Sequence, residues 1–391
     1  MQVLRRSGRW WVMAVPLALV VGCSSPTAGV QSQAPSPTSE PANSPSAGQT
    51  GTSESQVDPA GWSPAELAAE LVFAAAYMPD LKNADVWARA GVAGLFLLDK
   101  PGRNLKAQLA AIRAASPGSR LMIGSDEEGG EVQRLTSILG PLPSAAEVGR
   151  TKSVAQAKSI AEKYGRAMKA LGVNVSFAPD SDVAVRGAFI ALQCRSFSTD
   201  AATAAGYVTA WETGLRDAGV MGVLKHWPGH GSSKDTHIGS GTTPDWAVMQ
   251  SRDLVPFAAG IADGACAVMV GHLIVPGLTQ ADVPASMSPV ALAALRKQIG
   301  PNRLIMTDSL MMNAVTGAMS QTQTQAAVRS LAAGADVALV QTPDPLTVVH
   351  GIAAAIRSGV IGREQAVASA RRVLSAASAW SMASPPGTRC S

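Results

Sequence analysis

Histidine and cysteine are scarce in this chain, and its charge is close to balanced. Five of the 391 residues are histidine and four are cysteine. None of the cysteines (Cys23, Cys194, Cys266 and Cys390) has the paired spacing of a metal site. The three beyond Cys23 cannot all pair internally. An oxidising compartment permits a Cys194–Cys266 disulfide, and the sequence leaves that pairing open. The net charge is +4, part of it from Arg5, Arg6 and Arg9. No dense Lys/Arg run with interleaved aromatics is present, so nucleic acid is not an expected partner. Beyond the N-terminus no apolar run is long enough to cross a bilayer. What is present, 47% hydrophobic residues over this length, suffices for a substantial core.

The N-terminus carries a targeting segment. "MQVLRRSGR" supplies positive charge and "WWVMAVPLALVV" a short apolar run, which fits a signal peptide over residues 1–22. The run ends in "LVVGCSS", and a small residue followed by cysteine at a cleavage point resembles a bacterial lipobox. Cys23 would then be the lipidated first residue of the mature protein, anchored to a membrane without spanning it. Residues 23–61, mostly Ser, Pro, Thr, Gly, Gln and Ala, have almost nothing to bury and read as a disordered tether. One folded domain is expected over 62–384, with a short tail at 385–391.

From Pro64 onward, short apolar runs alternate with helical patterns. The runs lie at 71–78, 92–98, 120–126, 173–179, 221–226, 267–272, 303–309 and 337–341. Helical patterns such as "LKAQLAAIRAA", "VAQAKSIAEKYGRAMKALG", "AATAAGYVTAWETGLRDAG" and "QTQAAVRSLAAGAD" lie between them. Near-continuous apolar strands alternating with helices point to a parallel sheet covered by helices. Eight such units match the α/β class and a (β/α)8 TIM-type barrel with a single catalytic domain. The competing doubly wound sheet lacks a Gly-rich phosphate fingerprint after its first strand. Four of the strands end on a titratable residue: Asp126, His226, His272 and Asp308. One such Asp is often only a helix cap. Four at the same strand end fit a site at the C-terminal mouth of a barrel.

Three of the five histidines fall within "KHWPGHGSSKDTH", Lys225 to His237. His226 and His230 are four apart, as on a zinc-binding helix. Pro228 and Gly229 intervene, however, and no Glu stands where a zinc protease holds its base, so no metal is expected. A structural role suits His230, in the tight "PGHG" turn. The remaining reading is a loop for sugar binding and proton transfer, with Lys225 and His226 donating to hydroxyls. Asp235 and His237 are two apart, so on an extended segment both side chains face one way. A carboxylate beside an imidazole fixes its tautomer and raises its basicity.

The loop resembles the signature of glycoside hydrolase family 3, in its β-N-acetylglucosaminidase branch, approximately KH(F/W)PGHG followed by D(S/T)H. "SDEEGGEVQRL" (125–135) is similar to that family's D-(Q/E)-E-G-G-x-V-x-R-(L/F) element, "RSFSTD" (195–200) to its R-S-(F/Y) element, and "IMTDSLMM" (305–312) to the segment carrying its nucleophile. The resemblance implies Asp308 as nucleophile and His237, oriented by Asp235, as acid/base. It implies Asp126, Arg134, Arg195, Lys225 and His226 as ligands of the terminal sugar. Glu127 stands where the family usually has Gln. The chain ends soon after its eighth unit, as in single-domain members. No metal or organic cofactor is implied.

The expected function is that of a membrane-tethered, extracytoplasmic, retaining exo-β-N-acetylglucosaminidase. Its partners would be β-linked N-acetylglucosamine glycans, peptidoglycan or muropeptide fragments above all, and the membrane through its lipid. A His–Asp pair in place of the usual second carboxylate does not repel an anionic acceptor when neutral, which leaves phosphorolysis open beside hydrolysis. The rivals are a β-glucosidase of the same family and a lipoprotein that binds wall sugars without turnover.

Overall fold

The computed structural model describes residues 57–78 and 80–389. The signal segment, Cys23, most of the tether and Cys390 lie outside the described residues. Eight parallel strands close into a barrel in chain order. They are β1 Val72–Tyr77, β2 Gly94–Leu98, β3 Met122–Ser125, β4 Val175–Ser176, β5 Met221–Trp227, β6 Ala267–Val270, β7 Leu304–Ser309 and β8 Val337–Val340. Strand β1 pairs with both β2 and β8, which closes the ring. All eight expected strands are present, with ends shifted by a few residues. Strand β4 is the shortest, and Pro179 beyond it has no N–H to give to a ladder.

The expected helices are Leu105–Ala115, Val154–Leu171, Ala201–Asp217 and Gln323–Ala333. Local chemistry sets their ends. Ser153 with Gln156, and Thr322 with Gln325, form capping boxes at two N-termini. Gly172 ends the helix Val154–Leu171 in a left-handed conformation. That helix buries Ala157, Ala161, Tyr164, Met168 and Leu171 on one face, a spacing of three to four residues.

Strand alternation divides the core into two layers. Phe73, Phe96, Met122, Val175, Phe177, Val223, Met269, Met306 and Leu339 form one buried cluster, with Phe177 edge-on to Phe73 and Phe96 at 6.4 and 6.2 Å. Their strand neighbours, such as Val72, Leu95, Ile123, Leu224 and Ala338, join the helices in the other. The inner cluster also includes Val373, Ala376, Ala377 and Trp380 from the C-terminal helix Arg363–Ala379 and its cap. This apolar filling leaves the strand ends to carry the polar groups.

Two boundaries need correction. Composition extends the tether to residue 61, but Asp58–Gly61 belong to the folded domain. Asp58 caps the turn Pro59–Gly61 and pairs with Arg371, while Arg363 donates to the carbonyls of Ala60 and Trp62. The tail is also engaged, since Gly387 N–H donates to the carbonyl of Arg216 at 3.0 Å. Cys194 is a free thiol and Cys266 is disulfide-bonded, so the two are not a pair.

Asp336, fully buried just before β8, gathers the base of the barrel. It accepts from Arg296, from Ile305 N–H at 2.9 Å, from Ser369 Oγ at 2.9 Å and from Arg372 at 2.7 Å. Asp336→Ala leaves two guanidinium groups and a backbone N–H without their acceptor. Urea denaturation should show a loss of about 3–5 kcal/mol. Asp336→Asn, which retains an acceptor oxygen, should lose less. A loss for the alanine variant no greater than about 1 kcal/mol, the scale of a surface pair, would contradict this role.

Candidate active site

Parallel strands in a closed barrel all finish at one mouth. Asp126 follows β3, Asp180 and Asp182 follow β4, Lys225 and His226 lie at the end of β5, His272 follows β6 and Asp308 lies at the end of β7. The structure therefore brings the expected strand-end residues together.

Lys225 and Arg195 anchor the buried part of this rim. The Lys225 ammonium lies 2.8 Å from Asp126 Oδ1 and 2.6 Å from Glu128 Oε1. Burial opposes its charge, but Asp126 and Glu128 outweigh burial and hold its pKa above the ordinary lysine value. Arg195 binds Glu128 through two nitrogens, at 2.7 and 2.9 Å. Burial likewise works against the Glu128 carboxylate, and Arg195 and Lys225 overcome it, leaving its pKa well below the ordinary range. Glu128 is 1% exposed and Asp126 is 21% exposed at the side chain, so Asp126 is the carboxylate a ligand can reach. Arg134 is also open, with a nitrogen 3.4 Å from Asp126 Oδ2.

His226 departs from expectation. Its Nδ1 lies 2.8 Å from Asp182 Oδ2 and its Nε2 lies 3.2 Å from Arg195. A guanidinium only donates, so Nε2 accepts and Nδ1 carries the hydrogen. As arranged, His226 has no N–H for a hydroxyl; it orients Arg195 instead. Asp182 also accepts from the backbone N–H of His226 and of His230. Burial and the adjacent Asp182 push Asp180 well above the carboxylate range.

Asp308 is half-buried, and its Oδ1 accepts from Ser309 N–H at 2.7 Å. Burial opposes ionisation. The electrostatic pull of His226, His272 and Lys225, together with the Ser309 N–H, overcomes it, so the carboxyl stays below its ordinary pKa. An ionised carboxylate at the mouth of a barrel is equipped to act as a nucleophile.

The loop after β5 is shaped by close packing. A Cβ on Gly229 would lie 2.6 Å from Asp253 Cβ, and one on Gly231 would lie 1.8 Å from the carbonyl oxygen of Val183. His230 is buried between them, with Nε2 3.2 Å from Thr236 Oγ1, and burial pushes its pKa down to about 4. Its structural role is therefore visible. Asp235 and His237 do pair, but the segment is a turn and not an extended strand. Asp235 Oδ1 accepts from His237 N–H at 2.9 Å and from its Nδ1 at 2.7 Å. An Asp side chain commonly bonds the backbone two residues on, and here the imidazole shares that bond. His237 is 61% exposed at the side chain. The loop rests on the chain after Asp308, with Asn313 donating to Ile238 O and Ala314 N–H to Thr236 O. The Phe189 ring lies 6.2 Å from that of His237.

Glu128, Asp180 and His226 present ligand atoms within 4.8 Å of one another, close enough for a cation. Arg195 already supplies the positive charge there, bound to Glu128 and within 3.7 Å of Asp180. The donor set does not fit a metal while that guanidinium holds it. Sequence reasoning missed Glu128, Asp180, Asp182 and Phe189. Asp180 follows an expected strand as Asp126 does, a signal that could have found it. Phe189 offers none.

Residues 71–376 match the family described as glycosyl hydrolase family 3 N terminal domain. The chain is 40% identical over 258 residues to a protein of Mycobacterium tuberculosis named beta-hexosaminidase LpqI. That match covers 64% of this chain and 66% of the relative, just under two thirds of its length. A crystal structure of a family 3 glycosyl hydrolase from Mycobacterium smegmatis is 36% identical, with a TM-score of 0.74 over 81% of this chain and 98% of that one. A family 3 beta-N-acetylglucosaminidase from Paenibacillus sp. is 28% identical, with a TM-score of 0.75 over 81% of this chain and 62% of that one.

Glu127 turns away from the mouth. It is 1% exposed and accepts from Ser125 Oγ, Tyr164 OH and the N–H groups of Arg134 and Leu135. Burial raises its pKa to about 7 from 4.5. An acid raised in the folded state adds stability that is full below the unfolded pKa and is lost as pH rises towards 7. Glu127→Gln should flatten that slope. At about 1.36 kcal/mol per pKa unit, the variant should gain on the order of 3 kcal/mol over wild type between pH 4.5 and 7.5. Parallel stability curves for the two proteins would refute this.

Proposed function

The chain belongs to glycosyl hydrolase family 3, and on that premise we propose that it is a retaining exo-β-N-acetylglucosaminidase. The observation that carries the reading is a pairing of unlike groups at one mouth. Asp308 is half-buried and kept ionised, while His237 is exposed and its tautomer is set by Asp235. Asp308 attacks the anomeric carbon while His237, as the imidazolium, gives its Nε2 proton to the departing oxygen and is left neutral with its Nδ1–H on Asp235. In the second step His237 takes a proton from water as the glycosyl–Asp308 ester opens. Asp126, Arg134, Lys225 and Arg195 hold the hydroxyls and acetamido group of the terminal sugar. A neutral imidazole does not repel phosphate, which can replace water as the acceptor.

The substrate class follows from two supports. The similar proteins carry the names beta-hexosaminidase and beta-N-acetylglucosaminidase. The lipobox-like "LVVGC" would hold the domain outside the cytoplasmic membrane, facing peptidoglycan and its muropeptide fragments. Cys23→Ala should then move the protein from the membrane to the soluble fraction with its turnover intact. Unchanged partitioning with membranes would remove the anchor from this reading.

Chromogenic β-glycosides of N-acetylglucosamine and of glucose test the activity. The first should turn over and the second should not; the reverse favours a β-glucosidase, and no turnover of either a binding protein. Asp308→Ala should reduce kcat by on the order of 10³-fold or more, through loss of the covalent route. His237→Ala should spare an activated aryl glycoside in the first step and accumulate intermediate, with azide restoring its release. Equal losses on good and poor leaving groups in His237→Ala would restrict the loop to binding.

A further inference from the structure

His272 is one of the five histidines, and neither the binding rim nor the proton-transfer loop uses it. It follows β6, is 1% exposed, and makes two hydrogen bonds of ordinary length. Its Nε2 lies 2.9 Å from the carbonyl oxygen of Ser309 and its Nδ1 lies 2.8 Å from Ser286 Oγ. A carbonyl only accepts, so Nε2 carries the hydrogen. Burial lowers the basicity of the ring. Its Nδ1 faces the Ser286 hydroxyl, which is itself fully buried.

The bond falls on the residue beside Asp308. Ser309 spends all three of its polar groups on holding position. Its N–H donates to Asp308 Oδ1, its carbonyl accepts from His272, and its hydroxyl donates to Gln341 Oε1 at 3.2 Å. Gln341 is held in turn by Gln323 on both backbone groups and donates to Tyr77 OH. These side-chain bonds stand where the sheet is irregular. The β7–β8 register shifts between Met306 and Ser309, so the regular ladder is interrupted at the position of Asp308.

We propose that His272 is a positioning residue that fixes the Ser309 peptide and, through its N–H, aims the Asp308 carboxylate at the anomeric carbon. This rests on the reading of Asp308 as nucleophile. A strut of this kind acts through hydrogen-bond geometry. It contributes direction, and a carboxylate displaced by about 1 Å can lose on the order of 10²-fold in rate.

The test is pre-steady-state and steady-state turnover of an aryl N-acetyl-β-glucosaminide by the full chain. Burst amplitude counts the competent molecules. His272→Leu removes both hydrogen bonds and should lower the rate of glycosyl–enzyme formation by about 10- to 100-fold per competent molecule. The inhibition constant for free N-acetylglucosamine should stay within about threefold, because the binding rim is untouched. His272→Gln can still donate to Ser309 O and should recover most of the loss. Ser286→Ala, a milder change that guards against a poorly folded leucine variant, should slow the same step several-fold in wild type and have no further effect in His272→Leu. A formation rate within threefold of wild type in both His272→Leu and Ser286→Ala overturns the proposal. So does weakened inhibitor binding in proportion to the rate loss, or a glutamine variant no better than leucine. If wild type shows no covalent intermediate, or Asp308→Ala remains active, the nucleophile assignment itself has failed, which is a separate outcome.

Discussion

The two-point bond between Arg195 and Glu128 is the interaction on which the polar rim depends. Lys225, Arg195, Glu128, Asp180 and Asp182 are all buried, and buried charges persist only when paired and hydrogen-bonded. Glu128 lies beyond β3, Asp180 and Asp182 beyond β4, Lys225 at the end of β5, and Arg195 on the connection from β4 to β5. Glu128 pairs with both Arg195 and Lys225, and Asp182 accepts from His226. The bond thus ties three consecutive strand ends into one rigid edge, and it leaves Asp126 as the partly open carboxylate facing out.

The same guanidinium links this edge to the proton transfer proposed for the loop. The Phe189 ring lies 5.9 Å from the Arg195 guanidinium and also packs near His230 and His237. The two halves of the mouth differ in burial as they differ in proposed work. Groups that recognise a sugar gain from low dielectric surroundings, where each hydrogen bond is stronger. A group that exchanges protons with a leaving oxygen and then with water gains from exposure, and His237 has it.

Support for the proposed nucleophile is arranged differently from support for the proposed binding groups. Lys225 and Arg195 are held by opposite charges, whereas Asp308 is hydrogen-bonded by the Ser309 N–H, and Ser309 is bonded in turn to His272 and Gln341. A counter-charge fully engaged with Asp308 would blunt it. Hydrogen bonds through Ser309 fix its direction.

The eight strands, the main helices and the strand-end residues Asp126, His226, His272 and Asp308 were legible because apolar period and chain order are local properties of a sequence. The family motifs made Asp235, His237, Arg134, Arg195 and Lys225 candidates before any geometry was known. Which of these would touch one another was not legible. That His226 serves Arg195, that Glu127 faces inward to Tyr164 across thirty-seven residues of chain, and that His272 reaches Ser309 from the neighbouring strand are consequences of barrel closure. Closure sets strands far apart in sequence side by side, and it alone decides which polar groups face the mouth and which face each other. The sequence determined the barrel and the inventory of chemical groups at its rim. Tertiary structure decided their partners, because a hydrogen bond depends on ångström distances and directions that no spacing along the chain encodes.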